Sequence, residues 1–223
     1  MMSPYSILPV DGYALHAAAA SSLLPPLHTL AVRLSPRAGG TRLYGDPALP
    51  HLLGSEPIRA IARRCLGDAA RPVRAIMFDK TPGANWSLGW HQDRTVAVRE
   101  RRDARGFGPW TVKQGILHVA PPFAVLEKMV TLRIHLDDVP ADDAPLLVAP
   151  GSHRLGPVAE RDVAAAVARC GTATCLAAAG DVWAYATPIL HASAASIGGA
   201  HRRVLQIDFA ATDLPDGLMW LGI

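Results

Sequence analysis

The chain has 223 residues, 50% apolar and 18% charged, which suffices to bury a core and excludes a disordered tail or a small disulfide scaffold. A formal net charge of only +3 argues against nucleic acid or an anionic membrane surface as partner. Cys65, Cys170 and Cys175 are an odd set without the spacing of a zinc site, so they are read as reduced thiols of a cytoplasmic protein.

Residues 1–70 form a Pro/Ala-rich N-terminal region. Its stretch from Tyr13 to Leu34 has the apolar character of a secretory leader, but it follows Asp11, lacks a basic flank and is broken by Pro25 and Pro26, so no leader is read. No apolar run reaches the ~20 residues of a membrane span. Ser55 is placed to cap a helix whose first turn holds Glu56 and Pro57, and Ile58, Ile61, Ala62, Cys65 and Leu66 then recur at helical spacing until Gly67. That helix is expected to cover a sheet. From 71 to 223 the pattern is mainly β, with short strands over Val73–Phe78, Val130–Leu136, Leu146–Val148, Thr172–Leu176, Val182–Ala186 and Val204–Phe209. Val158–Arg169 reads as a helix, and Gly106–Pro122 as a loop inside a lid covering 94–127. There is no repeat or linker, so residues 1–223 are read as a single domain.

The chemistry concentrates at Trp90-His91-Gln92-Asp93. In an extended strand residues i and i+2 point to the same side, so His91 and Asp93 can bind one ion. His191, in a strand-like segment entered through Gly180-Asp181, offers a third donor, and two imidazoles with one carboxylate form the facial triad of non-haem Fe(II). His-x-Asp triplets also arise by chance among nine histidines, so an ordinary histidine beside a loop carboxylate stays open. Ser193 shares the strand face of His191, and Arg202 follows past the Gly198-Gly199 turn. A hydroxyl with a bidentate guanidinium suits the distal end of a dicarboxylate.

Ile76-Met77-Phe78-Asp79-Lys80-Thr81-Pro82, His91-Gln92-Asp93, Pro150-Gly151-Ser152-His153, Gly180-Asp181-Val182 and His191-Ala192-Ser193 through Arg202 resemble, in order and spacing, the phytanoyl-CoA dioxygenase family of Fe(II)/2-oxoglutarate oxygenases. The likeness runs from about residue 73 to 211. It implies a double-stranded β-helix, a cupin-like jelly-roll core with flanking α-helices. It implies Fe(II), 2-oxoglutarate and O2 as cofactors, with His91, Asp93 and His191 as iron ligands. Arg202 and Ser193 would clamp the distal carboxylate, and the backbone near Ile76 would add a cosubstrate contact. The Pro150–His153 turn is taken as structural. Two departures stand out: Arg133 where the founding enzymes carry a Trp lining the cosubstrate site, and Ala144 where they carry a Gly. Arg133 alternates with Thr131 and His135 on one strand face. Facing inward it needs an anionic partner, either 2-oxoglutarate or a substrate carboxylate; facing outward it would meet Asp137 or solvent.

Around these motifs, Lys80, Asn85, Trp90, Trp110 and Lys113 are candidate substrate contacts, with strand-end solvation, plain core or an exposed loop as the alternative for each. Trp86, Phe107 and His118 are weighed in the same way, and the arginines at 99, 101, 102 and 105 read as a solvated charged loop. Retention of Asp93 favours hydroxylation of an unactivated C–H bond, releasing succinate and CO2, over the halogenation that related enzymes lacking this carboxylate perform. The short chain favours a free small metabolite, an amino acid or natural-product intermediate, over a CoA thioester. A desaturase, cyclase or demethylase using the same iron chemistry, and a non-catalytic binding protein on the same barrel, stay open. No nucleic-acid or membrane partner is expected, and the protein is expected to be a monomer or homodimer.

Overall fold

The computed structural model describes residues 8–36, 39–197 and 201–223. The strands are, in chain order, β1 (Tyr13–His16), β2 (Thr41–Leu43), β3 (Arg71–Lys80), β4 (Leu88–His91), β5 (Val96–Ala97), β6 (Trp110–Lys113) and β7 (Ile116–Val119), followed by β8 (Met129–His135), β9 (Leu146–Val148), β10 (Ala173–Cys175), β11 (Val182–Ala186), β12 (His191–Ser193) and β13 (Arg202–Ala210). The helices are α1 (Leu24–Val32), α2 (Leu49–Leu53), α3 (Glu56–Leu66), α4 (Phe123–Leu126) and α5 (Val163–Cys170).

A six-stranded antiparallel sheet in the order β1-β11-β8-β13-β3-β2 faces a four-stranded one, β10-β9-β12-β4, across a cavity lined by both. This is the jelly-roll expected from the sequence. Strand alternation gives the large sheet two unlike faces. One carries Ala75, Met77, Leu132, Ile134, Leu205 and Ile207, buried with residues of α1, α2 and α3 in the main core. The other turns Arg74, Lys80, Arg133, Gln206 and Arg202 into the cavity. Register places these polar residues side by side: Gln206 lies opposite both Ile76 and Arg133, Asp208 opposite both Arg74 and Thr131, and Arg202 opposite Lys80. Since a one-residue slip would exchange the two faces, the apolar core fixes the polar set in place.

Several local expectations are corrected. Pro25 and Pro26 do not break the N-terminal stretch; they occupy the first turn of α1, where their missing N–H groups have no intrahelical partner to lose. Three more elements of residues 1–70, β1, β2 and α2, were likewise not read. Ser55 precedes α3 but makes no side-chain capping bond. The helix read over Val158–Arg169 begins only at Val163, after a 3-10 turn at Glu160–Asp162. The Gly180-Asp181 turn leads into β11, and His191 stands on the next strand, β12. Segment 94–127 is no structureless loop: β6 and β7 form a hairpin about Gln114 and Gly115, both at positive φ (52° and 77°), and β5 pairs with β7. Gln is an unusual first residue for such a turn, which hid it. The Gly198-Gly199 turn lies outside the described residues. No helix among the described residues is long and apolar enough to cross a membrane.

Candidate active site

His91 ends β4 and His191 begins β12, and the two residues are direct register partners across the small sheet. Their rings lie 4.3 Å apart between centroids. Asp93 follows just past β4, and the donor atoms of His91, Asp93 and His191 lie within 4.8 Å of one another. Each imidazole is oriented by the backbone two residues before it: Nδ1 of His91 donates to the Gly89 carbonyl at 2.8 Å, and Nδ1 of His191 to the Ile189 carbonyl at 3.0 Å. A carbonyl only accepts, so Nδ1 carries the proton and Nε2 keeps its lone pair for a metal. Burial, reinforced by His91, pushes the His191 pKa down to about 4, so that ring is neutral near pH 7.

Between His91 and Asp93, Gln92 points the other way. It donates to the Gly156 and Pro188 carbonyls at 3.0 and 2.9 Å and accepts from the Val158 N–H at 2.9 Å, which pins the backbone that presents Asp93. Ser152 of the Pro150–His153 turn accepts the Leu190 N–H at 2.8 Å, just before His191, in keeping with a structural role. Asp93 Oδ2 receives Arg74 at 3.3 Å and Gln206 Nε2 at 3.5 Å. Burial would raise the Asp93 pKa, but Arg74, the two imidazoles and Lys113 outweigh it and hold the carboxyl below its usual range. Arg74 is itself anchored on buried Asp208, which also accepts from Thr131 at 3.0 Å. Gln206 Oε1 accepts from Arg133 at 3.1 Å and from the Tyr185 hydroxyl at 3.3 Å. The donor set, two imidazoles whose Nδ1 atoms face backbone carbonyls and one carboxylate, fits a divalent transition metal.

The cavity beside the triad measures about 420 Å³. At one end Arg202, Lys80 and Arg133 are all nearly fully buried. Arg202 donates to the Ala144 carbonyl; Lys80 donates to Ser193 Oγ at 2.9 Å and to the Ala194 carbonyl. Lys80 and Arg133 lie over the rings of Trp86 and Phe78 at 5.3 and 5.2 Å. Among the described residues no carboxylate forms an ion pair with any of these three cations, and Nε of both Arg202 and Arg133 is buried without a partner. Burial, with Arg202 and Arg133 adding to it, pushes the Lys80 pKa down to about 7. Burial and then Arg133 press Arg202 down to about 10. Asp143 opposes these shifts at Lys80 and Arg202 without pairing with either, so the cluster lacks a bound anion.

Residues 40–204 match the family described as phytanoyl-CoA dioxygenase (PhyH). The chain belongs to this family of Fe/2-oxoglutarate-dependent oxygenases. Its fold is shared by AviO1 from Streptomyces viridochromogenes Tue57, at 20% identity over 92% of this chain and 91% of that one, with a TM-score of 0.59. It is shared by HygX from Streptomyces hygroscopicus, crystallised with nickel and 2-oxoglutarate, at 16% identity over 94% and 86%, TM-score 0.62. EctD from S. alaskensis aligns at 16% identity over 99% and 82%, TM-score 0.64, and has also been crystallised with Fe. Among curated proteins no match is found.

In this PhyH-family chain the cavity brings together His91, Asp93, His191, Arg202, Ser193, Ile76, Arg133, Lys80 and Lys113. Arg133 faces inward, and Asp137, its alternative partner, is held by Arg203 at 2.6 Å. The remaining substrate candidates stand elsewhere. Asn85 ties its side chain to the backbone of Ser196 at 2.7 and 2.9 Å; Trp90 packs beside Ala149 and Val158; Trp110 packs in the core under β5 and β7. His118 is buried outside the cavity lining, its Nδ1 on the Ile116 carbonyl at 2.9 Å. Arg42, Arg74 and Gln206 line the cavity and were missed. A period-two reading of Arg74-Ile76-Phe78-Lys80 against Arg202-Val204-Gln206-Asp208 would have found the last two.

Proposed function

We propose that the protein is an Fe(II)- and 2-oxoglutarate-dependent oxygenase that hydroxylates an unactivated C–H bond of a small metabolite, releasing succinate and CO2. The observation that carries this reading is the His91/Asp93/His191 cluster with both Nδ1 atoms tied to backbone carbonyls, leaving three donors on one face. In this reading His91, Asp93 and His191 hold the iron. When bound, iron and 2-oxoglutarate supply dioxygen activation and the oxidising power for C–H cleavage.

The chain's own residues bind and orient. Arg202, Lys80 and Ser193 receive the distal carboxylate of 2-oxoglutarate, and Arg133 lends a further positive charge to that end. A dicarboxylate satisfies a group of buried cations that otherwise stands uncompensated. Gln206 and Arg74 occupy Oδ2 of Asp93 and so direct its other oxygen to the metal. The hairpin of β6 and β7 within 94–127 is read as a lid wall, since Lys113 reaches the cavity from it and Gln114 ties its turn to β2, accepting the Arg42 N–H at 3.0 Å and donating to the Gly40 carbonyl at 2.7 Å. Unpaired Cys65, Cys170 and Cys175 agree with a reducing, cytoplasmic setting.

The test is a succinate-release assay of the anaerobically Fe(II)-loaded protein against amino acids, acyl compounds and natural-product scaffolds, with product mass read in parallel. Succinate stoichiometric with a product gaining one oxygen atom is the expected result. Absence of the weak visible charge-transfer absorption when 2-oxoglutarate is added to the Fe(II) protein would refute the reading.

A further inference from the structure

The cavity is far more cationic than the chain. Seven of its lining residues are Lys or Arg and one, Asp93, is a carboxylate, although the whole chain is only +3. Fe(II) and doubly charged 2-oxoglutarate cancel each other, so filling the site as proposed above leaves that excess in place. Arg94 donates to the Val158 carbonyl, and the other six cations fall into two groups. Arg202, Arg133 and Lys80 act on one another at the buried end. Half-buried Arg42 and Lys113 form the other group at the rim, acting with buried Arg74 and with Asp93.

Within the rim group Arg74 is neutralised by Asp208 and Asp93. Arg42 and Lys113 are not so paired. Arg42 Nε is buried without a partner, and the hydrogen bond of the Lys113 ammonium is to the Thr95 hydroxyl, at 3.1 Å. Among the described residues neither cation forms an ion pair with a carboxylate. They come from separate elements, β2 and the end of β6, and are held at the same cavity by Gln114, whose side chain bonds the backbone on both sides of the β2 entry. Burial and then the Arg74 charge press both down, Arg42 adding to the effect at Lys113 and Asp93 opposing it at each. Two like charges held half-buried on the walls of one cavity are costly unless an anion joins them.

We propose that Arg42 and Lys113 form a recognition site for an oxyanion, a carboxylate or a phosphate, carried by the primary substrate. The site lies at the rim on the Asp93 side of the metal, away from the Arg202 end that takes the cosubstrate. A substrate held there by its charged group presents its uncharged carbon skeleton toward the triad. This inference rests on the oxygenase reading for the word substrate, but the anion site itself does not depend on it.

The probes are inorganic phosphate and acetate, titrated by calorimetry into the anaerobic Fe(II)/2-oxoglutarate protein. The wild type is compared with the double variant Arg42→Gln/Lys113→Gln and the charge-keeping double variant Arg42→Lys/Lys113→Arg, with 2-oxoglutarate affinity measured for each from the visible absorption. Expected are binding of at least one probe by the wild type, a loss of about tenfold or more in the Gln variant, retention within a few-fold in the charge-keeping variant, and unchanged 2-oxoglutarate affinity. Preference for phosphate points to a phosphorylated substrate and preference for acetate to a carboxylic one. Failure of both probes to bind, or equal binding by the wild type and the Gln variant, overturns the proposal, as does a Gln variant that weakens 2-oxoglutarate instead. Should the absorption never develop in the wild type, the oxygenase reading falls, and the same titrations on the metal-free protein, with the same tenfold loss expected, still decide the anion site.

Discussion

Arg74 bridges two carboxylates, Nη2 at 3.3 Å from Asp93 Oδ2 and Nε on buried Asp208. Asp93, the carboxylate of the candidate metal site, is thereby held by a cation that the sheet itself keeps in place. Breaking a buried pair leaves an uncompensated charge, which costs about 3–5 kcal/mol. Arg74→Met is expected to lose that much in urea unfolding, and Asp208→Asn added to it is expected to recover most of the loss. A simple additive double variant would show that the pair is not coupled.

The triad makes a direct prediction for metal binding. Removing an outer partner of a metal ligand lowers affinity about 10–100-fold. Gln206→Ala, which frees Asp93 Oδ2 of one donor, should fall in that range for Fe(II) or Co(II) measured by titration. Asp93→Ala removes a ligand outright and should fall below it, with succinate release collapsing in parallel. Undiminished metal affinity in Asp93→Ala would remove the carboxylate from the coordination set.

Lys80 sets a pH dependence. Its pKa drops from the usual 10.5 to about 7 through burial and then Arg202 and Arg133. Between those values the folded protein binds fewer protons at this site than the unfolded chain, so this group's contribution to stability rises with pH across that window. A dicarboxylate favours the charged ammonium, so 2-oxoglutarate binding should take up a proton above pH 7 and weaken by up to about tenfold per pH unit. Calorimetry in buffers of different ionisation enthalpy reads the proton directly, and Lys80→Gln should flatten the slope.

Ala144 stands at φ +50°, in the left-handed region, with its carbonyl turned to Arg202 and to Ser193 Oγ at 3.2 Å. An L-residue there costs roughly 1–2 kcal/mol, against about 0.4–1 kcal/mol for the greater unfolded freedom of Gly. Ala144→Gly is therefore expected to stabilise the protein by about 0.5–1 kcal/mol in thermal or urea unfolding, with the Arg202 contact preserved.

What was legible in the sequence was local. Short β-rich runs marked β3, β8, β11 and β13, helical spacing marked α3, and His91-Gln92-Asp93, His191 and Arg202 were legible as short motifs whose residues the fold brings to one cavity. The hairpin of β6 and β7 was less visible, since Gln114 is a poor signal for a turn that needs positive φ. Arg74, Gln206 and Asp208 were invisible for another reason: a polar residue in a strand is ordinary on an exposed face and significant only on an enclosed one. Which face is enclosed depends on register across three strands and on the helices that cover the other side. The meeting of Arg42 with Lys113 depends on still more, because those residues are far apart in the chain and a single amide side chain holds their elements together. Covalent neighbours decide the backbone pattern, whereas uncompensated charge is a property of surroundings, and surroundings exist only once the chain has packed.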